Sequence, residues 1–252
     1  MPRVRLRPQL LVVLALALAL VTVRGAEAQD GSRGRELYLS GCAQCHGPQL
    51  EGVSPGRGPV GAGGIEPAGP PLLGVGEVAA DFYLRTGYMP LDEPKAQPKR
   101  STPAYPERDL RALVAFIASH GGPRTPKIDP ERGSTATGLK LFTENCAGCH
   151  QIVGEGGLVT GAQAVSLRHA TAEQIAQAVR VGPYVMPRFS EHAISNRELD
   201  SLVRYVLYTR DPDDKGGWGL GHLGPVPEGI VAWLVAGAAL LGIARVIGEK
   251  IR

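Results

Sequence analysis

Gly41-Cys42-Ala43-Gln44-Cys45-His46-Gly47 and, at a shift of 104 residues, Asn145-Cys146-Ala147-Gly148-Cys149-His150 are the stretches from which the fold of this chain is read. In Cys-x-x-Cys-His the two thiols stand at i and i+3, on one face of a helical turn, where both can add to the two vinyl groups of one haem. The histidine that follows can reach the iron, which makes this the c-type haem attachment signature. The two copies use all four cysteines of the chain, so none remains for a disulfide. A lone Cys-x-x-Cys also fits half a zinc ribbon or a redox dithiol. Four cysteines on one zinc would leave both histidines unexplained, and a thioredoxin-like centre needs a strand leading into the motif, where this sequence reads as helix.

Outward from the motifs, the repeat continues. Gly34, Leu37 and Tyr38 before Cys42 recur as Gly138, Leu141 and Phe142 before Cys146 at the same shift of 104, the mark of a duplicated unit. Their i, i+3, i+4 spacing predicts a helix with an inward apolar stripe leading into each motif. From Gly47 to Gly76 glycine and proline exclude regular structure, and a loop of that length is explained by a haem to wrap. Val78, Phe82 and Tyr83 predict a short helix ending at Thr86-Gly87. Pro106 opens another, carrying Leu110, Leu113, Val114 and Ile117, which Gly121-Gly122-Pro123 stops. In the second half, Thr171-x-x-Gln174 and Ser195-x-x-Glu198 read as capping boxes opening helices with Ile175 and Val179, and with Leu199, Leu202, Val203 and Val206. These marks divide the chain into a first domain over 30–122, a polar linker over 123–137 with three prolines, and a second domain over 138–215.

The chain has three methionines, and apart from Met1 they are Met89 and Met186, one per repeat and each followed by proline. Met89 lies 43 residues after His46 and Met186 lies 36 after His150, enough chain to pass round a haem edge to its other face. Core filling is the alternative role for a methionine; their matched positions favour iron ligation. A thioether favours ferrous iron and raises the potential, and His/Met ligation leaves no open site for oxygen or peroxide, so outer-sphere electron transfer is the expected chemistry. His120, His169, His192 and His222 have no such equivalence and are read as structural or solvated.

Both ends carry apolar segments. Arg3, Arg5 and Arg7 precede an apolar run from Leu10 to Val23 and an Ala26-Glu27-Ala28 cleavage pattern, so residues 1–28 read as a signal peptide or an N-terminal anchor helix. After a Gly/Pro-rich segment over 216–228, residues 229–248 form a run long enough for a transmembrane helix, ~28 Å across its ~19 most apolar residues. Arg245, Lys250 and Arg252 mark its cytoplasmic end, with Trp218 and Trp233 on the outer side. Ala232 with Ala236 and Ala238 with Gly242 are small-xxx-small pairs suited to packing on another helix. The haem domains are thereby expected on the extracytoplasmic face of the cell membrane. With 252 residues there is room for two domains and membrane segments, and 5% aromatic content suits cores completed by haem. A net charge of +3 gives no support to nucleic-acid binding.

From about Gly34 to the C-terminus the chain resembles the di-haem cytochrome c subunit of the actinobacterial-type menaquinol-cytochrome c reductase, the cytochrome bcc complex. The likeness rests on the two Cys-x-x-Cys-His motifs, Arg57-Gly58-Pro59, the stretch Gly69-Pro70-Pro71-Leu72-Leu73-Gly74-Val75-Gly76-Glu77, Thr86-Gly87-Tyr88-Met89-Pro90 and Met186-Pro187-Arg188-Phe189-Ser190. The tail from Gly219 through Pro225 and Glu228 to Gly229 is the most family-specific part. The resemblance implies a mainly α fold of two tandem class I cytochrome c-like haem domains plus a C-terminal transmembrane helix. It implies two covalently bound haem c groups, attached through Cys42 and Cys45 and through Cys146 and Cys149. Axial pairs would be His46 with Met89 and His150 with Met186, and the carbonyl of Pro70 would orient His46. The second domain departs from this pattern, since Val165 stands where the corresponding proline would fall, which leaves the orientation of His150 open. Implied partners are a cytochrome b subunit, a Rieske iron-sulfur subunit as donor and the copper-bearing subunit of a terminal oxidase as acceptor. The chain would serve as the electron-transfer subunit of a quinol-cytochrome c oxidoreductase and catalyse nothing alone. Other readings are a stand-alone di-haem carrier or oxidase subunit, and a di-haem peroxidase, which the two methionines oppose.

Overall fold

The structure, a computed structural model, describes residues 31–56, 67–94, 96–212 and 225–250. The signal or anchor segment over 1–28, Arg57-Gly58-Pro59, Trp218 and His222 lie outside the described residues. Residues up to Val206 form one compact unit and Leu207–Arg252 a second. In the first half α1 (31–41) leads into α2 (Ala43–His46), followed by α3 (Gly76–Arg85) and α4 (Glu107–Ala118). The second half repeats this with α5 (Thr135–Asn145), α6 (Ala147–His150), α7 (Ala172–Val181) and α8 (Asn196–Tyr208), adding an antiparallel hairpin of β1 (Gly157–Val159) and β2 (Ala162–Ala164). The hairpin was not foreseen, and the helices are those expected.

Each half is built on a crossing of its first and last helices, made close by the repeated glycine. A Cβ on Gly34 would lie 2.1 Å from the carbonyl oxygen of Ala112 in α4, and one on Gly138 would lie 2.0 Å from that of Ser201 in α8. Beside each crossing an aromatic pair stacks at a tilt: Tyr38 on Phe116 and Phe142 on Tyr205, both with ring centroids 5.3 Å apart. The pairs differ in which helix carries the hydroxyl. Tyr38 donates to the carbonyl of Gly47 at 2.6 Å, while in the second half Tyr205 donates to that of Ile152 at 2.7 Å. Either way one phenol satisfies a carbonyl in the loop just past the haem motif. Since the obstacle at Gly138 is backbone, Gly138→Ala must push α5 and α8 apart. It should cost about 1–3 kcal/mol, the range for overpacking, seen as a lower denaturation midpoint of the haem-loaded protein.

Local signals in the sequence account for the helix ends. Thr171 and Gln174 form a reciprocal capping box at α7, and Ser195 with Glu198 does the same at α8. Gly121 and Gly122, with φ of 90° and 103°, end α4 as read. Leu37, Leu50, Leu84, Leu110, Leu113 and Ile117 form the core of the first half, with Tyr38 fully buried among them. The segment read as linker is docked on α8. Its backbone N–H at Asp129 donates to Asp200, and Arg204 donates to the carbonyls of Glu131 and Gly133. Ser134 caps α5 inside that segment, so the second half's first helix begins at Thr135.

The two halves also meet through α3 and α7. Gln177, with no exposed surface, donates to the carboxylate of Asp81 at 2.8 Å, and Arg85 donates to the same carboxylate from the other side at 2.6 Å. Arg100 reaches Gln174 at 2.5 Å, and Gln97 exchanges two hydrogen bonds with the backbone of Gln163 at 2.8 and 3.0 Å.

In the second unit, α9 (Pro225–Lys250) is a single helix. Its stretch Gly229–Glu249, with mean hydropathy 2.2, is among the described residues the one helix long and apolar enough to cross a membrane. Arg245, the charge that interrupts this run, pairs with Glu249 one turn on at 3.0 Å.

Candidate functional site

The two haem motifs adopt the same backbone. Cys42 and Cys146 each precede a one-turn helix, with φ of −120° and −124°, and each accepts from the histidine N–H at 2.9 Å and from the second cysteine N–H at 3.1 Å. None of the four cysteines is paired in a disulfide. Burial pushes the Cys42 and Cys146 thiols up to about 11, helped by the neighbouring Cys45 and Cys149 sulfurs. Redox dithiols work through thiolates, which such surroundings disfavour. Among the described residues no three His, Cys, Asp or Glu side chains gather as a set of metal ligands.

Each motif histidine is held through Nδ1 by a backbone carbonyl: His46 by Pro70 at 2.8 Å and His150 by Val165 at 3.0 Å. A carbonyl can only accept, so Nδ1 carries the proton and Nε2 offers its lone pair, the tautomer a haem iron needs. Burial lowers the pKa of His150 while the bond to Val165 opposes it, and the net effect favours the neutral ring. The orientation of His150, left open by the missing proline, is therefore supplied by Val165. The role belongs to a carbonyl, and every residue has one. The surrounding loops match. Gly52 and Gly156, both with positive φ, donate to the carbonyls of His46 and His150 at 2.8 and 3.0 Å, and Leu72 and Leu167 donate to those of Leu50 and Gly154 at 2.8 Å. Leu72 and Leu167 stand two residues after Pro70 and Val165, in line with the equivalence of those two positions read from the sequence. In the first half the chain passes so close that a Cβ on Gly69 would lie 3.1 Å from His46 Cε1. In the second half the hairpin takes up this work, pairing Gly157 with Ala164 and delivering Val165 to the histidine.

Met186 lies at the second of the sites so formed, and Met89 lies against the core beside the first. Met89 is half-buried and packs on the first core together with Cys42, Leu72 and Val75. The N–H groups of Tyr88 and Met89 both bond the carbonyl of Tyr83, which fixes the loop after α3. Met186 lines one cavity with Cys146, Cys149, His150, Val159 and Phe189. Gly182, left-handed at φ 64°, ends α7 and turns the chain so sharply that a Cβ there would lie 2.7 Å from the N of Arg188. The second half thus brings both thiols, the oriented histidine and the methionine to one largely apolar cleft, and these residues fit a covalently held haem. His120 packs edge-on against Phe116 and bonds its carbonyl at 2.8 Å, while His169 and His192 are exposed.

Comparison with known proteins agrees with this geometry. Residues 31–121 match the cytochrome c family, and residues 133–206 match the family described as cytochrome c oxidase, cbb3-type, subunit III. The cytochrome bc1 complex cytochrome c subunit of Corynebacterium diphtheriae is 35% identical over 238 residues, covering 86% of this chain and 80% of its own length. That of Mycobacterium tuberculosis is 35% identical over 228 residues, covering 86% and 77%. Among solved structures, a chain of the Kuenenia stuttgartiensis reducing HAO-like protein complex covers 70% of this chain and 95% of its own at 15% identity and a TM-score of 0.38, too loose a match to carry an argument. At that identity over most of both chains, this protein belongs to the family of cytochrome c subunits of the cytochrome bc1 complex, as an electron carrier with two cytochrome c domains and covalently bound haem c.

Proposed function

We propose that the chain is the di-haem relay of a quinol-cytochrome c reductase. It takes electrons one at a time from a Rieske iron-sulfur subunit, passes them through two haem c groups, and delivers them to the copper centre of a terminal oxidase. Haem c, when bound, supplies a one-electron ferric/ferrous couple. His46 with Met89 and His150 with Met186 would hold the two irons, and Pro70 and Val165 would hold the histidines. Held this way, the groups would supply electron transfer and not peroxide chemistry, which separates this reading from a di-haem peroxidase.

The observation that carries the proposal is the second cleft, where His150, with Nδ1 committed to Val165, lines one cavity with Met186 and both motif thiols. Helix α9 serves as the membrane anchor and contacts cytochrome b, with the haem domains extracytoplasmic and the C-terminus cytoplasmic. Gentle solubilisation of the membranes followed by purification through this chain should bring down a cytochrome b and a Rieske protein in fixed ratio. Purification of the chain alone, as a free di-haem carrier, would overturn the relay assignment.

A further inference from the structure

The cleft of the second domain is not built by that domain alone. Tyr88, which directly precedes Met89 in the loop of the first domain, lines both cavities that open onto Cys146, His150 and Met186. It is only 7% exposed and is held edge-on by Phe82, with centroids 5.5 Å apart and rings at 87°. Phe82 itself, 4% exposed, lines the smaller of these cavities. The three interdomain links described above, at Asp81, Gln97 and Arg100, flank these two rings in sequence on the first-domain side, so the wall is clamped in place.

We infer that Tyr88 is a wall of the second haem site, contributed by the loop that carries the first site's methionine. This rests on the proposed ligation and adds to it a dependence between the two sites. A planar ring over the cleft excludes water, and water favours the more highly charged ferric state, so the ring holds the second potential up. Because Tyr88 and Met89 hang on the same carbonyl of Tyr83, a change in how Met89 sits is transmitted to the second cleft through one peptide unit.

The test is a redox titration of the full-length protein, with the two haem waves assigned by the single variants Met89→Ala and Met186→Ala. Tyr88→Phe, which keeps the ring, should retain both parental potentials. Tyr88→Ala should lower the second haem's ferrous-to-ferric ratio about tenfold at fixed ambient potential, or ~59 mV for one electron, and shift the first less. Haem content, two per chain, and the methionine-to-iron absorption band report whether both sites are assembled. If the alanine variant fails to accumulate, Tyr88→Gln keeps bulk but brings a hydrated polar group to the cleft and carries the same test. A shift confined to the first haem, or none in either, would overturn the inference. Absence of methionine ligation from the parental protein would instead overturn the ligand assignment beneath it.

Discussion

Met186→Ala is expected to yield a protein that keeps both thioether-bound haems but whose second haem has a much lower potential and an iron that takes up carbon monoxide. The histidine side of that iron does not depend on the methionine, because Nδ1 of His150 is tied to Val165 at 3.0 Å and the motif turn is closed by its own backbone bonds. Loss of the thioether removes the ligand that favours ferrous iron and leaves an open coordination position. A fall on the order of 0.1 V is expected, a modest part of the roughly 0.8 V that axial ligation spans. Met89→Ala should do the same to the first haem. Optical redox titration and carbon monoxide difference spectra measure both effects. If neither variant changes the spectrum or binds the gas, methionine ligation and the outer-sphere role built on it must be given up.

Truncation after Lys215 should separate chemistry from location. The proposed ligands, the cysteines and the capped helices all precede that point, and residues up to Val206 form a compact unit without α9. The shortened protein should be exported as a soluble di-haem cytochrome with normal spectra that is reduced by chemical reductants. Quinol-driven reduction in membranes should fall on the order of a hundredfold at ~10 μM protein, since a tether holds partners at roughly millimolar effective concentration. Turnover from quinol to oxidase at matched haem content is the measurement. Equal turnover in the two forms would mark α9 as dispensable and favour a diffusing shuttle.

Much of this architecture is legible in the sequence because it is encoded by side chains at fixed local spacing. The haem motifs, the glycines at 34 and 138, the capping boxes at Thr171 and Ser195 and the apolar run of α9 each announce a local requirement. What stays hidden is carried by backbone or by distance. The acceptor for His150 is a peptide carbonyl, so searching for a proline at that place misdirects. The hairpin of β1 and β2 is built from Gly157-Leu-Val159 and Ala162-Gln-Ala164, too short and too poor in β-branched residues to stand out from a loop. The pairing of Asp81 with Gln177 joins residues 96 positions apart, and neither shows a local reason to be buried. Tyr88 reads as part of a methionine loop, and only the assembled halves reveal what its ring faces.

The tilted aromatic pairs bear on how the two halves have diverged. Aligned position by position, the second half has lost a phenol where Tyr38 becomes Phe142, and has gained one where Phe116 becomes Tyr205. In space the two changes compensate, because in each half one phenol of the pair bonds a carbonyl of the turn just past the motif. Across the helix crossing the hydroxyl changes sides and bonds Ile152 where its counterpart bonds Gly47, one position further from the motif histidine. Tyr38→Phe alone would leave the carbonyl of Gly47 with only the N–H of Leu50, at 3.2 Å, whereas adding Phe116→Tyr would put a phenol on the helix that carries it in the second half. The two halves thus differ here by a paired exchange of ring and phenol, and a one-residue-at-a-time comparison would miss that each keeps one phenol on that turn.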